Sequence, residues 1–302
     1  LNQSLKNEFL EPTFIKSKKM RKLLLAIVLT IFITSIYAQE ETPKDGWKKG
    51  GTFSLLFNQS SFSNWVAGGD NAIAGNALVN YNVNLLKGDW TWDNKIILAY
   101  GMANTESKGS IKTDDRFELN SLAGKKATKN WYYSIFANFM TQFTDGYDYA
   151  SDPDQLHPIS KMFAPAYLSF GPGMLWKKSD DLKVNISPAT GKITFVMDKT
   201  LSDIGAFGVE KGENLRTELG FYVGAYYKTP IMKNVTMENI LNLYSNYLDH
   251  PENIDINHQL NIVMQVNKYI SANLGLHTIY DDNMLKETQF KEVFGVGFNY
   301  TF

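Results

Sequence analysis

The sequence predicts an all-β chain, an antiparallel up-and-down transmembrane β-barrel of twelve strands that follows an N-terminal signal peptide. Three observations carry this reading. The first is strict alternation: Ile254, Ile256, Leu260, Ile262, Met264 and Val266 interleave with Asp255, Asn257, Gln259, Asn261, Gln265 and Asn267. After Lys268 and Tyr269 the pattern resumes, with Ile270, Ala272, Leu274 and Leu276 against Ser271, Asn273, Gly275 and His277. A strand sends successive side chains to opposite faces, so Ile254 to Tyr280 is a tight hairpin with one apolar and one polar face. The second is length: such segments exceed the ~5–6 residues usual in soluble sheets and reach the ~9–11 that cross a bilayer at a tilt. The third is an aromatic share of 14%, concentrated beside the short turns.

The first 38 residues are read apart from the barrel. Met20-Arg21-Lys22 precedes an apolar run from Leu23 to Ile36, and Tyr37-Ala38 precedes Gln39-Glu40. A basic start, a short apolar stretch and a small residue at the cut describe a secretory signal peptide, with 1–19 as upstream extension. Cleavage after Ala38 removes six of the 30 Lys/Arg and two of the 31 Asp/Glu, leaving 24 and 29, a net charge of −5. Residues 39–50 read as a polar periplasmic lead-in and 51–302 as the barrel. There is no cysteine, which excludes disulfides, thiolate metal sites and a cysteine nucleophile. The near-neutral balance makes no case for a nucleic-acid partner.

Each strand then follows in order. Thr52 to Ser61 places Phe53, Leu55 and Phe57 on one face, before a break at Asn64 to Asn71 that carries Trp65. Ala72 to Leu86 sets Ala77, Val79, Tyr81, Val83 and Leu85 against Asn76, Asn80, Asn82 and Asn84; Lys87-Gly88-Asp89 turns tightly. Trp90 to Ala103 follows, and then a polar loop over Glu106 to Lys112. Phe117 and Leu119 mark the fourth strand, Trp131 to Phe143 the fifth, and the sixth ends at Trp176 after the long loop Asp145 to Ser160. In the seventh, Leu182, Val184 and Ile186 share a face, yet Ile193, Phe195 and Met197 take it up at the opposite parity. A bulge within Pro188 to Gly191 is therefore expected. After the loop Thr200 to Glu213 come Leu215 to Tyr227, Val235 to Leu248, the two hairpin strands, and Gln289 to Phe302.

Short turns near Lys87, Thr128, Ser179, Pro230 and Asn267 alternate with longer loops near Asn64, Glu106, Gly146, Ser202, Pro251 and Asp282. An even strand number with short turns at one end and long loops at the other is the pattern of a bacterial outer-membrane barrel. Trp90, Trp92, Trp131, Tyr133, Trp176, Tyr227, Tyr269, Tyr300 and Phe302 are expected to form a girdle at the water–lipid interface on the turn side, which the two chain ends make the periplasmic side. Closure follows from the solvent: each backbone group left unpaired in lipid costs several kcal/mol. A soluble β-sandwich is the competing fold, and the strand lengths and one-sided girdle argue against it.

Two resemblances enter here. Gly295-Val296-Gly297-Phe298-Asn299-Tyr300-Thr301-Phe302 resembles the terminal signal by which outer-membrane proteins are recognised, with Gly295 where a polar residue is usual. The resemblance implies outer-membrane lipid as surroundings and the barrel-assembly machinery as a partner, through Gly297, Tyr300 and Phe302. Phe62 to Asn71, and Ile186-Ser187-Pro188 with Thr190-Gly191-Lys192, resemble the domain of unknown function 3078 family of Gram-negative outer-membrane proteins. That likeness is expected over nearly all of Gly46 to Phe302. It implies a fold and a compartment but no activity.

Chemistry is sparse. None of His157, His250, His258 and His277 has metal-ligand spacing. Asp148, Asp152 and Asp154 lack the pattern of a calcium loop and read as a solvated loop. Gly171-Pro172-Gly173 and Gly295-Val296-Gly297 precede no helix, so neither is a phosphate loop. No metal and no cofactor is expected. Ser245 and His258 lie on the apolar parity of adjacent strands and face each other if the hairpin closes around Asp249 and Ile254. A lipid hydrolase with that pair is one reading, weakened by the lack of an orienting third residue. The inward parity carries Asp93, Lys95, Arg116, Glu118, Arg216, Glu218, Glu238 and Asp255. These charges either pair across a narrow interior or line a small pore. The leading expectation is a non-enzymatic narrow passive channel or structural barrel. A hydrolase is one alternative, and a barrel that binds another envelope protein through 145–160 and 200–213 is the other.

Overall fold

The computed structural model describes residues 45–63 and 70–302. The expected signal peptide, residues 39–44 of the lead-in and Trp65 lie outside the described residues. Twelve antiparallel strands form one closed barrel in which each strand pairs with its sequence neighbours and the first pairs with the last. They are β1 (Gly46–Ser60), β2 (Ala72–Lys87), β3 (Trp90–Thr105), β4 (Gly109–Thr128), β5 (Trp131–Thr141) and β6 (Ala166–Ser179). The second half is β7 (Leu182–Phe195), β8 (Leu215–Met232), β9 (Val235–Asn246), β10 (Asp255–Gln265), β11 (Ile270–Asp281) and β12 (Leu285–Thr301). Phe53 faces Tyr300 and Leu55 faces Phe298 at the closing seam. Beyond the last strand residue, Gly51 and Phe302 exchange N–H to carbonyl bonds of 2.9 and 3.0 Å.

The side-chain distribution is that of a protein turned inside out. Tyr133, Ile135, Leu219, Phe290 and Phe294 are exposed on the outer face, while Glu118 is 0%, Asp93 4% and Lys192 8% exposed within. Charges are almost never so covered unless paired, and a continuous outer belt of large apolar groups marks contact with lipid rather than water. The fold is thus a transmembrane barrel.

Three boundaries differ from expectation. The barrel begins at Gly46 rather than at Thr52, since Trp47, Lys48 and Lys49 already pair with Leu85, Asn84 and Val83. Two lysines and two glycines read as a polar lead-in, but Trp47 packs against Trp92 with ring centroids 6.0 Å apart. The supposed loops at Glu106–Lys112 and after Asp282 shrink to 106–108 and 282–284. Asn104 with Ser110 and Asp281 with Leu285 continue the ladders, and polar strand ends that rise clear of the apolar belt look like loop in a sequence. At the opposite end the turns are tight. Gly88 and Asn234 take left-handed φ of 55° and 63° there, a conformation that Gly and Asn adopt at least cost.

The bulge falls within β7. Ser187 faces Tyr222 and Thr190 faces Gly220, so Pro188 and Ala189 together oppose Phe221. The same extra residue separates the Phe170–Gly191 and Met174–Ile186 pairs on the other side. One inserted residue reverses the parity of everything beyond it. Asn185 and Ser187 are buried inward before it, and Thr190, Lys192 and Thr194 after it. Gly171 has no side chain because a Cβ there would meet the Ala189 carbonyl and the Ser187 hydroxyl.

Two loops at the far end share a small apolar core. The β7–β8 connection carries helix α1 (Lys199–Asp203), whose N-terminus is capped by Asp198 accepting from the Leu201 N–H at 3.1 Å. Ala164 of the β5–β6 loop packs with Val196, Leu201 and Val209, and Lys161 reaches Asp198 at 2.8 Å.

Candidate functional site in the barrel interior

The inward residues assemble into layers of charge. Near the tight turns, Asp93 accepts from Lys177 at 2.9 Å and from Lys183 at 2.7 Å. Beside it Lys95 meets Glu238 at 2.5 Å, and the Tyr226 hydroxyl donates to the same carboxylate at 2.8 Å. Halfway along, Arg116 donates to Gln259 at 2.6 Å and lies 3.7 Å from the wholly buried Glu118, which also accepts from Gln259 at 3.2 Å. Toward the loops, Lys192 contacts Asp255 at 2.7 Å, Asp281 at 3.0 Å and Glu218 at 3.8 Å. Arg216 completes that layer, 2.7 Å from Glu218 and 2.6 Å from the Asn283 side chain. Most of these contacts join strands that are not neighbours in the sheet, and Lys95–Glu238 and Arg116–Gln259 cross from β3 to β9 and from β4 to β10. The eight expected lumen residues all sit in these layers.

Sequence reading passed over Lys177, Lys183, Lys192, Asp281, Asp114 and Lys291. The first three sit at the inward parity, and Lys192 became legible only with the bulge placed. Asp114 and Asp281 fall in segments read as loop or loop edge. An aromatic plug also escaped notice: Phe136 and Tyr222 stack at 4.3 Å and 13°, with Tyr244 against them.

The free volume inside is divided. A cavity of about 650 Å³ fills the turn half, and one of about 340 Å³ lies toward the loops, beside Gln142, Pro165 and Tyr167. Both are lined by Asp114, Arg116, His277 and Lys291. There Lys291 meets Asp114 at 2.6 Å, spanning from β12 to β4, and the His277 Nε2 lies 2.9 Å from the Asn257 amide oxygen.

The Ser245–His258 pairing is overturned by the register. Asp255 faces Tyr244 and His258 faces Leu241, four residues away from the assumed alignment. The Ser245 hydroxyl donates to the Pro251 carbonyl at 2.7 Å, and His258 Nε2 sits 3.3 Å from the Asn239 amide oxygen. The chain returns at 247–254, a longer connection than a closure around Asp249 allows, and that moved the alignment.

Among the acidic groups, the Asp255, Asp281 and Asp282 oxygens lie within 4.8 Å of one another, but the Lys192 ammonium already contacts two of them and supplies the positive charge. In the β5–β6 loop, Asp152 accepts from the backbone N–H groups of His157 at 2.6 Å and Leu156 at 3.1 Å. The His157 N–H above all holds the Asp152 carboxyl below its ordinary range. Asp148 is lowered likewise, first by the Ser151 hydroxyl. These carboxylates fold the loop on itself.

At the turn side, Trp90, Trp92, Trp131, Tyr133, Tyr269, Tyr300 and Phe302 are exposed on the outer face and Trp176 is partly covered. Tyr227 shares that face, in register with Leu182 at the start of β7 and with Asn239, but is only 7% exposed.

Comparison with known proteins gives distant likenesses. An outer membrane channel from Pseudomonas putida F1 is similar over 87% of this chain and 96% of its own, with 10% identity and a TM-score of 0.37. The translocator domain of the autotransporter NalP from Neisseria meningitidis is similar over 94% of this chain and 95% of its own, with 11% identity and a TM-score of 0.29. Pseudomonas putida OprB covers 85% of this chain and 94% of its own, with 9% identity and a TM-score of 0.30. No curated protein matches the chain. The Ile186–Lys192 motif and the terminal segment lie beyond the stretch matched by a family model. That stretch, residues 57–147, runs from β1 past β5 and matches the family described as "Protein of unknown function (DUF3078)", the one the sequence resembles.

Proposed function

We propose that this chain is an integral outer-membrane barrel serving as a narrow passive channel for small polar solutes, with Asp114, Arg116, His277 and Lys291 as its constriction. One observation carries the reading: the two interior cavities are lined in common by these four residues. Elsewhere ion pairs and the Phe136–Tyr222 stack narrow the cross-section. Here the Asp114–Lys291 bridge spans from β4 to β12 and the Arg116–Gln259 bond from β4 to β10. Planar-bilayer recording tests it. The native protein gives small steps, and Asp114→Ala with Lys291→Ala raises them several-fold. A barrel sealed for a structural role gives no steps in either form.

The compartment belongs to the same reading. The apolar belt, the long strands and the secretory leader support export, cleavage after Ala38 and insertion in the outer membrane of a Gram-negative cell, with the tight turns in the periplasm. Recognition by the assembly machinery through Gly297, Tyr300 and Phe302 is part of the proposal, and an enzymatic activity is not. A second reading is favoured by the loops: their shared apolar core, with Leu156 and Ile204 left exposed, suits a surface that binds another envelope protein. Co-purification after mild detergent extraction tests it, and loss of the partner on replacing 200–213 is the expected result.

A further inference from the structure

The two walls of the larger cavity differ in chemistry. On β3, β7 and β9 the cavity carries charged groups that engage one another or Lys177 of β6, as in Asp93 with Lys177 and Lys183, and Lys95 with Glu238. On the wall made by β11, β12, β1 and β2, the stretch between Lys48 and Lys49 at the turn end and His277 and Lys291 at the other is uncharged. Asn80, Asn82, Ser54, Asn273 and Asn299 line the cavity from these strands, with Ser271 beside them. Ser54, Ser271, Asn273 and Asn299 are each more than nine-tenths buried. None of the six makes a side-chain hydrogen bond among the described residues, and Ser271 Oγ, Asn273 Oδ1 and Asn299 Oδ1 are buried without a partner. Gly297 and Gly295 stand in register with Ser271 and Asn273, and β1 at Leu55 and Leu56 packs closely against them.

Buried polar groups are ordinarily bonded, because leaving one unmade costs its desolvation. A wall of amides and hydroxyls with unspent capacity, facing a cavity within the roughly 300–1,000 Å³ of small-molecule sites, is complementary to a solute rich in paired donors and acceptors. Each amide presents a donor and an acceptor side by side, as vicinal hydroxyls do. A charged solute held between those lysines finds the countercharges of the opposite wall engaged, and burying an unpaired charge is costly.

We propose that this cavity binds an uncharged polyhydroxylated solute of mono- or disaccharide size, held by the Asn and Ser wall of β11, β12, β1 and β2. The assignment names the solute class of the channel proposed above and rests on that reading. The full chain in detergent is titrated with glucose, maltose and glucuronate by saturation-transfer NMR, and the same protein is recorded in planar bilayers. Saturable binding of glucose or maltose is expected, at least tenfold tighter than that of glucuronate. Asn80→Leu with Asn82→Leu, and separately Asn299→Ser, are expected to weaken it tenfold while the heat-dependent gel shift of the folded barrel is kept. Absent binding, equal binding of glucuronate, or undiminished binding in both variants overturns the assignment. Sugar binding without conductance steps would overturn the channel and leave the site. Steps without sugar binding would do the reverse.

Discussion

Lys192 and Asp255 meet at 2.7 Å inside the barrel, and they meet because β7 carries one residue more than the strands beside it. Without Pro188 and Ala189 sharing the place opposite Phe221, Lys192 would keep the outward parity and face lipid. The bulge thus converts a lipid-side position into the cation that holds Asp255, Asp281 and Glu218 together. Lys192→Met should leave three buried carboxylates short of a cation, a loss of about 3–5 kcal/mol for breaking a buried pair. Urea unfolding in lipid vesicles followed by tryptophan fluorescence reads it. Asp255→Asn in the Lys192→Met background should restore part of the loss, and an unchanged midpoint in Lys192→Met would contradict the account.

Deleting Ala189 is a sharper perturbation of the same relationship. The two strand halves would fall into one parity, turning either Lys183 or Lys192 toward lipid at about 2–4 kcal/mol if near the midplane. With Lys192 outward, Ile193 and Phe195 would turn inward; with Lys183 outward, Val184 and Ile186 would. The deletion should abolish the heat-dependent gel shift. Gly171→Ala, whose new Cβ meets the Ala189 carbonyl and the Ser187 hydroxyl, should cost about 1–3 kcal/mol by overpacking. A folded deletion variant of native stability would show that the parity change has no energetic role.

Much of this was legible in the sequence because a barrel has one rule: two faces, two solvents. Alternation marks the strands, and the parity conflict between Ile186 and Ile193 places the bulge from the sequence alone. Cross-strand relations were not legible. The Ser245–His258 pairing depended on a loop length, and register errs by whole residues wherever a loop closes irregularly, as 247–254 does. Cross-lumen partners such as Lys95 and Glu238 lie 143 residues apart, and alternation shows that both point inward without showing at what height. The neutral wall had the same obstacle: the Asn row of β2 was plain, but its continuity with Asn299 and Asn273 depends on how the seam closes.

The displaced register makes its own prediction. With Ser245 bound to the Pro251 carbonyl and His258 beside Asn239, no base reaches the hydroxyl, and nucleophilic attack needs that contact. Purified protein in phospholipid vesicles should release fatty acid at the rate of empty vesicles, and Ser245→Ala and His258→Ala should leave that rate unchanged. Release by the native protein that Ser245→Ala removes would restore the hydrolase reading.

At the chain end, the Phe302 ring stacks near Tyr81 at 5.9 Å and Tyr300 at 6.1 Å, while its backbone bonds to Gly51 extend the seam. Phe302→Ala keeps the backbone bonds and loses two ring pairs, roughly 0.5–1.5 kcal/mol each. Removing residue 302 loses both kinds of contact. The deletion should therefore lower the urea midpoint more than Phe302→Ala does, and equal midpoints would mean that the closing bonds add nothing.

The loop pair offers a pH test outside the membrane. Lys161 donates to Asp198 at 2.8 Å, and this bond, ahead of the Leu201 N–H, holds the Asp198 carboxyl below its ordinary 3.8. The same contact raises the Lys161 ammonium above its ordinary 10.5. A depressed carboxylate contributes stability above its unfolded value and loses it as pH falls through the folded one. A raised ammonium contributes below its unfolded value and loses it as pH climbs through the folded one. The contact is thus fully formed between about pH 4 and pH 10 and weakens on either side. Hydrogen exchange of the α1 amides should be slow across that window and accelerate outside it. Asp198→Asn keeps a capping oxygen for Leu201 but loses the charge, so the window should vanish while the helix persists. A pH profile that survives Asp198→Asn would place the titrating group elsewhere.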